Sequence, residues 1–300
     1  MYDLAIIGAG SAGLPAGIYA SRYKIKNIII GEMLGGALTQ SHLVENYPGF
    51  EHISGKELMD KFLVHARESG SEVLNDRVSR LEKTDKGFEL STSSGKEIFA
   101  KKILIAIGNK YRCLGLEEEA GFIGRGVSYC ATCDGMFFKG REVAIVGGGN
   151  TALTEALYLS EICSKVHVIH RKPDFRAEKV LIDTASKHEN IIFHMNEKVE
   201  KIGGGFYLEN ILLSSGKELK VDGLFVAIGN EPDTSLFTRI GIELDEEGYI
   251  VVDKRQQTSI PGIYAAGDIT TNSNKFKQTL ISAAEGALAA SSIHEDLIKE

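Results

Sequence analysis

Two cysteines three residues apart, followed at once by an acid, are the residues of this chain best suited to chemistry. They lie in the stretch 129–135, where Cys130 and Cys133 flank two residues and Asp134 follows. A CxxC spacing holds two thiols close enough to interconvert with a disulfide, while one sulfur stays accessible to a partner. The pattern therefore predicts a redox site rather than a stabilising cross-link.

A zinc site is the main alternative for this spacing, because CxxC also supplies half of a tetrahedral ligand set. Such a site needs two more ligands with similar local pairing. Cys113 and Cys163 are lone cysteines, and neither a second CxxC nor an HxxxH pair accompanies them. We favour the redox interpretation, and we expect Cys113 and Cys163 to be small buried hydrophobic residues.

Composition limits the function classes that the chain can belong to. Its 300 residues suffice for two domains, and 43% hydrophobic with 25% charged residues is typical of a globular protein with real cores. A net charge of −7 argues against nucleic-acid binding. No apolar run approaches the ~18 residues of a membrane span, and the N-terminus resembles no secretory signal. Few cysteines, two of them in a redox spacing, predict a cytoplasmic location.

The elements that must position this chemistry carry one nucleotide-binding signature twice. Four apolar residues lead into Gly8-Ala9-Gly10-Ser11-Ala12-Gly13 and a helical run from Leu14, and four more lead into Gly147-Gly148-Gly149-Asn150-Thr151-Ala152 and a helical run from Leu153. In such a strand–turn–helix unit, the first glycine allows the tight turn and the second lets a pyrophosphate approach the backbone. The third small residue permits close packing of helix on strand. One copy is weak evidence, but two copies in the same local context predict two dinucleotide sites.

The two copies are offset by 139 residues, and this offset separates their ligands. Glu32 follows the second strand of the first unit, where an acid accepts hydrogen bonds from ribose hydroxyls. The equivalent position in the second unit is Arg171, in the stretch His170-Arg171-Lys172-Pro173-Asp174-Phe175-Arg176. Cations here suit a 2′-phosphate, which favours NADPH over NADH. A solvated basic turn is the alternative, and His170 could be no more than a turn residue.

Repeated strands predict an α/β fold with two Rossmann-like domains, the second inserted into the first. An apolar strand ending in Ala-Ile-Gly-Asn occurs in each half, at 103–109 and 224–230, which indicates an internal duplication. A further strand at 263–266 ends in Gly-Asp and needs a parallel sheet to join. Returning it to the first unit gives a discontinuous domain of residues 1–113 and 245–300, and residues 114–244 form a second domain that carries the CxxC pair.

These motifs together resemble, over the full length, the bacterial-type, low-molecular-weight thioredoxin reductases. The shared features are the glycine turns, the runs 35–39 and 44–50, the stretch 126–135, an HRxxxxR pattern and Gly267-Asp268. The resemblance implies that the first nucleotide is FAD, with Glu32 at its ribose, Gly10 and Gly13 at its pyrophosphate, and Thr39 and Asn46 near its isoalloxazine. The full FAD set that it implies is Gly8, Gly10, Ser11, Ala12, Gly13, Glu32, Gly36, Leu38, Thr39, Asn46, Val78, Ala106, Gly108, Gly267, Asp268, Lys277 and Gln278.

The second nucleotide in this resemblance is NADPH. Its residues are implied to be Gly147, Gly149, Asn150, Thr151, Ala152, His170, Arg171, Lys172, Arg176, Ile228 and Gly229. Two positions depart from the family pattern, because Lys277 and Lys172 stand where arginine is common. A lysine keeps the charge but loses the planar fork of the guanidinium. The Lys277 departure therefore implies a different affinity or potential of the flavin, and the Lys172 departure makes the NADPH preference less firmly implied than the flavin.

The resemblance also implies a mechanism and a partner. NADPH reduces FAD, two electrons pass to the Cys130–Cys133 disulfide, and the dithiol exchanges with an external disulfide such as that of thioredoxin. Cys133 faces the flavin and starts the exchange, Cys130 resolves the mixed disulfide, and Asp134 is the acid that protonates the departing thiolate. A helix-capping role is the alternative for Asp134. The resemblance further implies a homodimer, and a rotation between domains that brings disulfide and nicotinamide to the flavin in turn.

Other functions are compatible with parts of the pattern. A flavin-dependent dithiol oxidase would use the same cysteines but make little use of the Arg171 cluster. A ferredoxin–NADP reductase of this architecture would lack the CxxC pair. An alkyl hydroperoxide reductase flavoprotein would carry an additional N-terminal disulfide domain, whereas the sequence starts at its first strand. A non-enzymatic nucleotide sensor would have no use for a redox disulfide. We therefore expect a disulfide reductase.

Overall fold

The computed structural model describes residues 1–41 and 44–299, which form two compact units. The first unit comprises Met1–Gln40, Tyr47–Lys110 and Glu231–Glu300, and the second comprises Ser41–Asn46 and Tyr111–Asn230. The first unit is therefore discontinuous in sequence. The domain limits that the sequence predicts, near residues 114 and 244, remain a prediction.

The strands and helices follow the glycine turns and the apolar runs. In chain order the strands are β1 (Tyr2–Ile7), β2 (Asn27–Ile30), β3 (Glu72–Leu74), β4 (Val78–Thr84), β5 (Gly87–Thr92), β6 (Glu97–Ile105), β7 (Lys110–Tyr111), β8 (Val127–Ser128), β9 (Glu142–Val146), β10 (Lys165–His170), β11 (Ile191–Met195), β12 (Val199–Gly204), β13 (Leu208–Leu213), β14 (Glu218–Lys220), β15 (Gly223–Val226), β16 (Asn230–Glu231) and β17 (Ile263–Ala265). The α-helices are α1 (Gly13–Arg22), α2 (Gly55–Glu68), α3 (Glu119–Phe122), α4 (Ala131–Asp134), α5 (Asn150–Ile162), α6 (Lys179–Ala185), α7 (Ser235–Thr238) and α8 (Thr279–Lys299). Short 3₁₀ helices span Ala37–Gln40, Gly135–Phe138 and Ser273–Lys275.

The sheet of the first unit has the strand order β3-β2-β1-β6-β5-β4, and β17 also pairs with β6. Its β1, β2, β3 and β17 pairings are parallel, whereas β4, β5 and β6 form an antiparallel meander. The long strand β6 serves both parts: Ala100 pairs with Phe88 of the meander, and Ile103 pairs with Ile263 of β17. The predicted return of the strand at 263–266 to the first sheet is confirmed.

The second unit repeats the same construction. Its main sheet has the order β11-β10-β9-β15-β8, with parallel pairings throughout, and β12, β13 and β14 form a separate antiparallel sheet. The central strands are mostly buried, and Val, Ile, Ala and Leu predominate in them, as expected for a parallel sheet covered on both faces. The predicted α/β class is confirmed, and the carboxyl ends of β9 and β15 lie side by side.

The helices cover the apolar faces that the strands leave. In the first unit α1 and α8 pack on each other, and a methyl group at Gly286 of α8 would lie 2.1 Å from the carbonyl oxygen of Ala12. Only glycine allows that approach. Within residues 1–41 and 44–299, no helix is long and apolar enough to cross a membrane.

Candidate active site

The structure joins Cys130 and Cys133 in a disulfide, with their Cα atoms 5.3 Å apart. Cys130 precedes the short helix α4, and its carbonyl accepts hydrogen bonds from the backbone N–H groups of Cys133 (3.2 Å) and Asp134 (3.1 Å). Both cysteines are partly exposed, so a partner can reach the pair. Among the residues described, no group of three or more His, Cys, Asp or Glu side chains could hold a metal ion.

Asp134 contacts a side chain of the preceding strand and caps no helix. The Ser128 hydroxyl donates a hydrogen bond to Asp134 Oδ2 at 2.7 Å, and the Cys130 backbone N–H donates to the same hydroxyl oxygen at 3.1 Å. The 3₁₀ helix that begins after Asp134 shows no side-chain cap hydrogen bond from it. The helix-capping alternative for Asp134 is therefore not supported, and its carboxylate is held beside the redox pair by Ser128.

Cys113 differs from its expectation. Cys163 is buried, as expected, but Cys113 is exposed. Its Sγ lies 3.5 Å from the hydroxyl of Tyr129, which donates a hydrogen bond to the buried carboxylate of Glu119 at 2.8 Å. Glu119 also accepts the backbone N–H groups of residues 114 and 115 (3.0 and 2.9 Å). The buried Glu119 carboxylate thus anchors the turn after Cys113, while the Cys113 side chain itself is exposed.

The first glycine turn has the close contacts that its sequence predicts. Gly8 has a φ of +119°, and a methyl group there would lie 2.2 Å from the carbonyl oxygen of Ala106. A methyl group at Gly13 would lie 1.9 Å from the carbonyl oxygen of Gly8. At Gly10, by contrast, the nearest atom would be Gly36 Cα at 3.6 Å. Gly8 and Gly13 therefore allow the backbone to pack closely on neighbouring carbonyl groups. The space beside Gly10 is open.

The loop after β2 folds back on this turn. The backbone N–H of Gly35 donates to the carbonyl of Ala9 at 2.8 Å, and Gly31 packs against Ala9 so closely that a methyl group there would lie 2.6 Å from Ala9 Cβ. Glu32 is therefore beside the glycine turn, with its carboxylate exposed. The Thr39 hydroxyl donates to the carbonyl of Gly36 at 2.8 Å. Leu38 is partly buried against the α1 side of the core.

The Gly-Asp motif after β17 joins the same end of the sheet. A methyl group at Gly267 would lie 3.0 Å from Ala12 Cβ, and the Gly267 N–H donates to the buried Glu285 carboxylate at 2.8 Å. The Ser282 hydroxyl donates to Asp268 Oδ1 at 3.1 Å, and Lys277 Nζ donates to the Asp268 carbonyl. Burial raises the pKa of the Asp268 carboxyl, although the charge of Lys277 opposes this.

Lys277 also lies over the ring of Tyr249, with Nζ 3.7 Å from the centroid. Gln278 directly precedes α8, where its carbonyl accepts the backbone N–H of Ser282 at 2.9 Å. Ala106 and Gly108 follow the end of β6. The structure therefore gathers these residues, the glycine turn and Glu32 at the carboxyl ends of the parallel strands, where α/β proteins bind nucleotides.

Two residues of the predicted flavin set are not among those gathered at these strand ends. Val78 begins β4, and its side chain is in the apolar core on the meander side of the sheet. Asn46 belongs to the segment Ser41–Asn46, which is grouped with the second unit. For both residues, contact with the cofactor remains a prediction.

The second glycine turn repeats the glycine pattern of the first, with Ala152 in place of the third glycine. A methyl group at Gly147 would lie 2.5 Å from both Ala152 Cβ and the carbonyl oxygen of Ala227, whereas one at Gly149 would meet nothing within 4 Å. Gly149 precedes α5, whose first turn has no acid and no side-chain cap hydrogen bond. The Asn150 side chain instead pairs with Glu178, through bonds of 3.0 and 2.8 Å. Thr151 is exposed in that first turn, and Ile228 and Gly229 follow β15.

His170 is a packing residue at the centre of this turn. It ends β10, is buried, stacks on Phe175 at 5.3 Å, and donates through Nε2 to the carbonyl of Asp174 at 3.1 Å. A methyl group at Gly148 would lie 2.1 Å from the His170 ring. Burial lowers the pKa of His170, and the nearby charges of Arg176, Arg171 and Lys172 lower it further. His170 thus packs within the stretch that it begins, and its contact with NADPH remains a prediction.

The basic stretch folds back on the glycine turn. The backbone N–H of Arg176 donates to the carbonyl of Gly148 at 2.7 Å. The side chains of Arg171, Lys172 and Arg176 are exposed, and none of them forms an ion pair with a carboxylate of the described residues. Three cations therefore stand beside the start of α5, available to an anionic ligand.

The strand registers confirm the offset between the units. In the first unit Ile7 of β1 is opposite Ile30 of β2, and in the second Val146 of β9 is opposite Ile169 of β10. Both pairs are related by the same 139 residues that relate Gly8 to Gly147. Glu32 and Arg171 therefore occupy equivalent places, each two residues beyond these paired positions.

The contacts at Gly148 and Gly149 lead to a prediction that separates packing from ligand binding. We expect Gly148→Ala to lower the free energy of unfolding by roughly 1–3 kcal/mol, because the new methyl group overlaps the buried His170 ring. Gly149→Ala meets open space and should leave the unfolding midpoint unchanged while weakening NADPH binding. Thermal unfolding and NADPH titration of both variants measure the two effects. Equal midpoints for the two variants would contradict the assignment.

Several residues around the site carry no sequence signal of their own. Ser128 holds Asp134, Glu178 holds Asn150, and Glu285 holds the Gly267 N–H. For Ser128, the sequence shows only that a hydroxyl lies close to the acid that follows the CxxC pair. It does not show that the two side chains form a hydrogen bond. The other two contacts cross between elements and depend on tertiary packing.

Comparison with known proteins finds a family model and curated relatives that match nearly the whole chain. Residues 2–288 match the family model described as pyridine nucleotide-disulphide oxidoreductase. A thioredoxin reductase of Listeria innocua is 41% identical over 296 residues, covering 96% of this chain and 92% of the relative. A thioredoxin reductase of Escherichia coli O157:H7 is 42% identical over 304 residues, covering 96% and 93%.

Solved structures agree with these sequence matches. The crystal structure of thioredoxin reductase from Streptococcus pyogenes superimposes with a TM-score of 0.92 at 35% identity, covering 100% of this chain and 99% of that one. The chain thus shares both sequence and fold with these relatives over nearly its whole length.

Proposed function

Since the chain belongs to the pyridine nucleotide-disulphide oxidoreductase family, we propose that it is an NADPH-dependent thioredoxin-disulfide reductase that works through FAD. The observation that carries this proposal is the accessible Cys130–Cys133 disulfide, held beside an acid in the unit with the cation-flanked glycine turn. The thioredoxin reductases to which the chain is similar support the same activity.

The first unit fits FAD. Its glycine turn is open at Gly10, and α1 begins with no side-chain cap hydrogen bond and no acid in its first turn, so backbone N–H groups are available to a pyrophosphate. Glu32 supplies a carboxylate for ribose hydroxyls, and Asp268 and Lys277 supply polar groups at the carboxyl end of β17. Bound there, FAD would accept a hydride from NADPH and deliver two electrons to the disulfide.

The second unit fits NADPH. Gly149 leaves open space in front of α5, whose first turn is likewise uncapped. We assign Arg171, Lys172 and Arg176 to the 2′-phosphate, because Arg171 occupies the position that is an acid in the first unit, and Lys172 and Arg176 are exposed cations in the same stretch. The Asn150 side chain pairs with Glu178 and caps no N–H group of α5, which leaves those N–H groups to the ligand.

The roles of the redox residues follow from their chemistry. We assign Cys133 to the attack on the partner disulfide and Cys130 to the resolution of the mixed disulfide, as the family resemblance implies. Each exchange releases a thiolate that must gain a proton. We assign this proton transfer to Asp134, whose carboxylate Ser128 holds beside the pair.

Steady-state reduction of oxidised thioredoxin by the purified yellow protein tests the proposal. We expect thioredoxin-dependent oxidation of NADPH, and slower oxidation of NADH, followed by absorbance. If NADPH bleaches the flavin but thioredoxin is not reduced, the acceptor is another disulfide. If neither nucleotide bleaches the flavin and dithiols consume oxygen instead, the protein is a dithiol oxidase and the proposal is wrong.

We further propose that the protein is a homodimer and works in the cytoplasm, where thioredoxin is kept reduced. The dimer follows from the family resemblance, and the location from a redox cysteine pair without a disulfide-stapled framework. Light scattering during gel filtration of the FAD-loaded protein measures the oligomeric state, and a monomer at micromolar concentration would contradict the first part.

A further inference from the structure

Glu285 is a buried acid of α8, and its two carboxylate oxygens bind two points of the loop 266–278, which joins β17 to α8. Oε2 accepts the backbone N–H of Gly267 at 2.8 Å, close to the start of the loop. Oε1 accepts the hydroxyl of Ser273 at 2.7 Å, in the second half of the loop. The Thr270 hydroxyl, between these two points, lies 3.5 Å from Oε2. A single side chain therefore bridges the loop.

The backbone conformation at the second of these points is an unfavourable one. Ser273 and Asn274 have φ values of +54° and +50°. Both values lie in the left-handed region, which residues other than glycine adopt rarely and at a cost in free energy. The Ser273 hydroxyl is the group that binds Glu285 Oε1. Glu285 thus holds the first residue of this strained turn in place.

The same loop carries two polar residues at the carboxyl end of β17. Asp268 directly follows the Gly267 N–H that Glu285 binds. Lys277 Nζ donates to the Asp268 carbonyl, and the Ser282 hydroxyl donates to Asp268 Oδ1 at 3.1 Å. Ser282 and Glu285 are three residues apart and so lie on the same face of α8. This helix face therefore determines where the loop places its polar groups.

We propose that Glu285 is a positioning residue for FAD, and that its carboxylate holds the loop 266–278 in the cofactor-binding conformation before FAD arrives. The inference rests on the proposed function in placing FAD at this end of the sheet, and it adds a residue outside the predicted flavin set. A loop that is already ordered loses little conformational freedom on binding, which makes binding tighter. This role needs two hydrogen-bonding atoms at the correct reach, and it does not need the negative charge.

Substitutions of Glu285 separate reach from charge. Glutamine keeps the length, and it can accept the Gly267 N–H while its amide group donates to the Ser273 hydroxyl oxygen, so Glu285→Gln should bind FAD within about threefold of the wild type. Aspartate keeps the charge but is one methylene shorter, and alanine removes both contacts. We expect Glu285→Asp and Glu285→Ala to raise the Kd for FAD about 10- to 100-fold. Fluorescence of the flavin released on dilution of the FAD-loaded protein measures the Kd.

A second measurement distinguishes positioning from direct contact with the cofactor. Phe276 is an exposed residue of the loop, so chymotrypsin cleavage after it reports whether the loop is ordered. We expect slow cleavage of the wild type with and without FAD. Glu285→Ala should be cleaved at least about tenfold faster without FAD and should regain protection at saturating FAD. If Glu285 only contacted FAD, its loss would weaken binding without changing the cleavage of the FAD-free protein.

Two further variants guard against misfolding and non-specific effects. Ser273→Ala removes one of the two contacts from a partly exposed position, and it should raise the Kd about 3- to 10-fold even if Glu285→Ala does not fold. Glu295→Gln is the matched control, because Glu295 is an exposed glutamate of the same helix that pairs with Arg255. It should leave the Kd and the cleavage rate unchanged.

Three results would overturn the positioning role. They are rapid cleavage after Phe276 in the FAD-free wild type, an unchanged Kd in Ser273→Ala, and normal FAD affinity in Glu285→Asp combined with lost affinity in Glu285→Gln. A wild-type protein that binds FAD but reduces no thioredoxin would contradict the proposed function alone. Equal FAD affinity in the wild type and Glu285→Ala would contradict the positioning role alone, so the two failures are distinguishable.

Discussion

Replacing Cys133 with serine is expected to abolish thioredoxin reduction while NADPH still bleaches the flavin. The hydroxyl that replaces the thiol can neither form the internal disulfide nor attack a partner disulfide. Hydride transfer from NADPH does not involve this side chain. We therefore expect turnover with thioredoxin to fall by at least roughly 10³-fold, with little change in the rate of flavin reduction under anaerobic conditions.

The other cysteines supply the controls for this prediction. Cys113→Ser removes an exposed thiol outside the pair and should leave turnover unchanged. Cys130→Ser should also stop turnover, but it keeps the attacking thiol and removes the resolving one. That variant should therefore accumulate a mixed disulfide between Cys133 and thioredoxin, visible by non-reducing electrophoresis. Persistent turnover in Cys133→Ser would show that electrons leave the protein by another path.

Removing two cations from the second unit, in Arg171→Ala with Lys172→Ala, is expected to raise the KM for NADPH about 10- to 100-fold. The magnitude corresponds to the loss of charge-assisted hydrogen bonds to the 2′-phosphate at an exposed site. NADH has a hydroxyl at that position, so its KM should change by less than about twofold. Steady-state kinetics with both nucleotides at saturating thioredoxin measure the two constants.

A change of net charge alone could alter nucleotide binding, and a second double variant accounts for it. Lys187→Ala with Lys220→Ala removes the same charge from exposed positions of the same unit, outside the basic stretch. This control should leave both KM values near those of the wild type. Equal increases for NADPH and NADH in the Arg171 and Lys172 variant would mean that these residues form only a solvated basic turn.

Local sequence patterns predict the two glycine turns, their strands and the equivalence of Glu32 and Arg171. Each depends on a short run of residues whose spacing is fixed by the strand–turn–helix geometry, and the registers at Ile7 and Val146 agree with that spacing. The CxxC pair is predicted for the same reason, because its ring closes within four residues.

Contacts that depend on packing between elements could not be predicted in this way. Gly148 reads as one more glycine of a turn, yet its contact is the ring of His170, more than twenty residues further along the chain. Cys113 was expected to be buried because lone cysteines usually are, but its side chain is exposed beside a turn whose N–H groups bind Glu119.

The pairing of β17 with β6 has a consequence for how the protein is made. Residues 111–230 of the second unit lie between the parallel partners Ile103 and Ile263, so the first sheet is incomplete until the last part of the chain has left the ribosome. The second unit, whose strands lie within residues 111–230, can fold before that point. A nascent or truncated chain that ends before β17 would expose the carboxyl half of β6 and the face of α1 that α8 covers. We therefore expect premature termination near the carboxyl terminus to yield chains that proteases and chaperones recognise, even though every residue of the redox pair has already been synthesised.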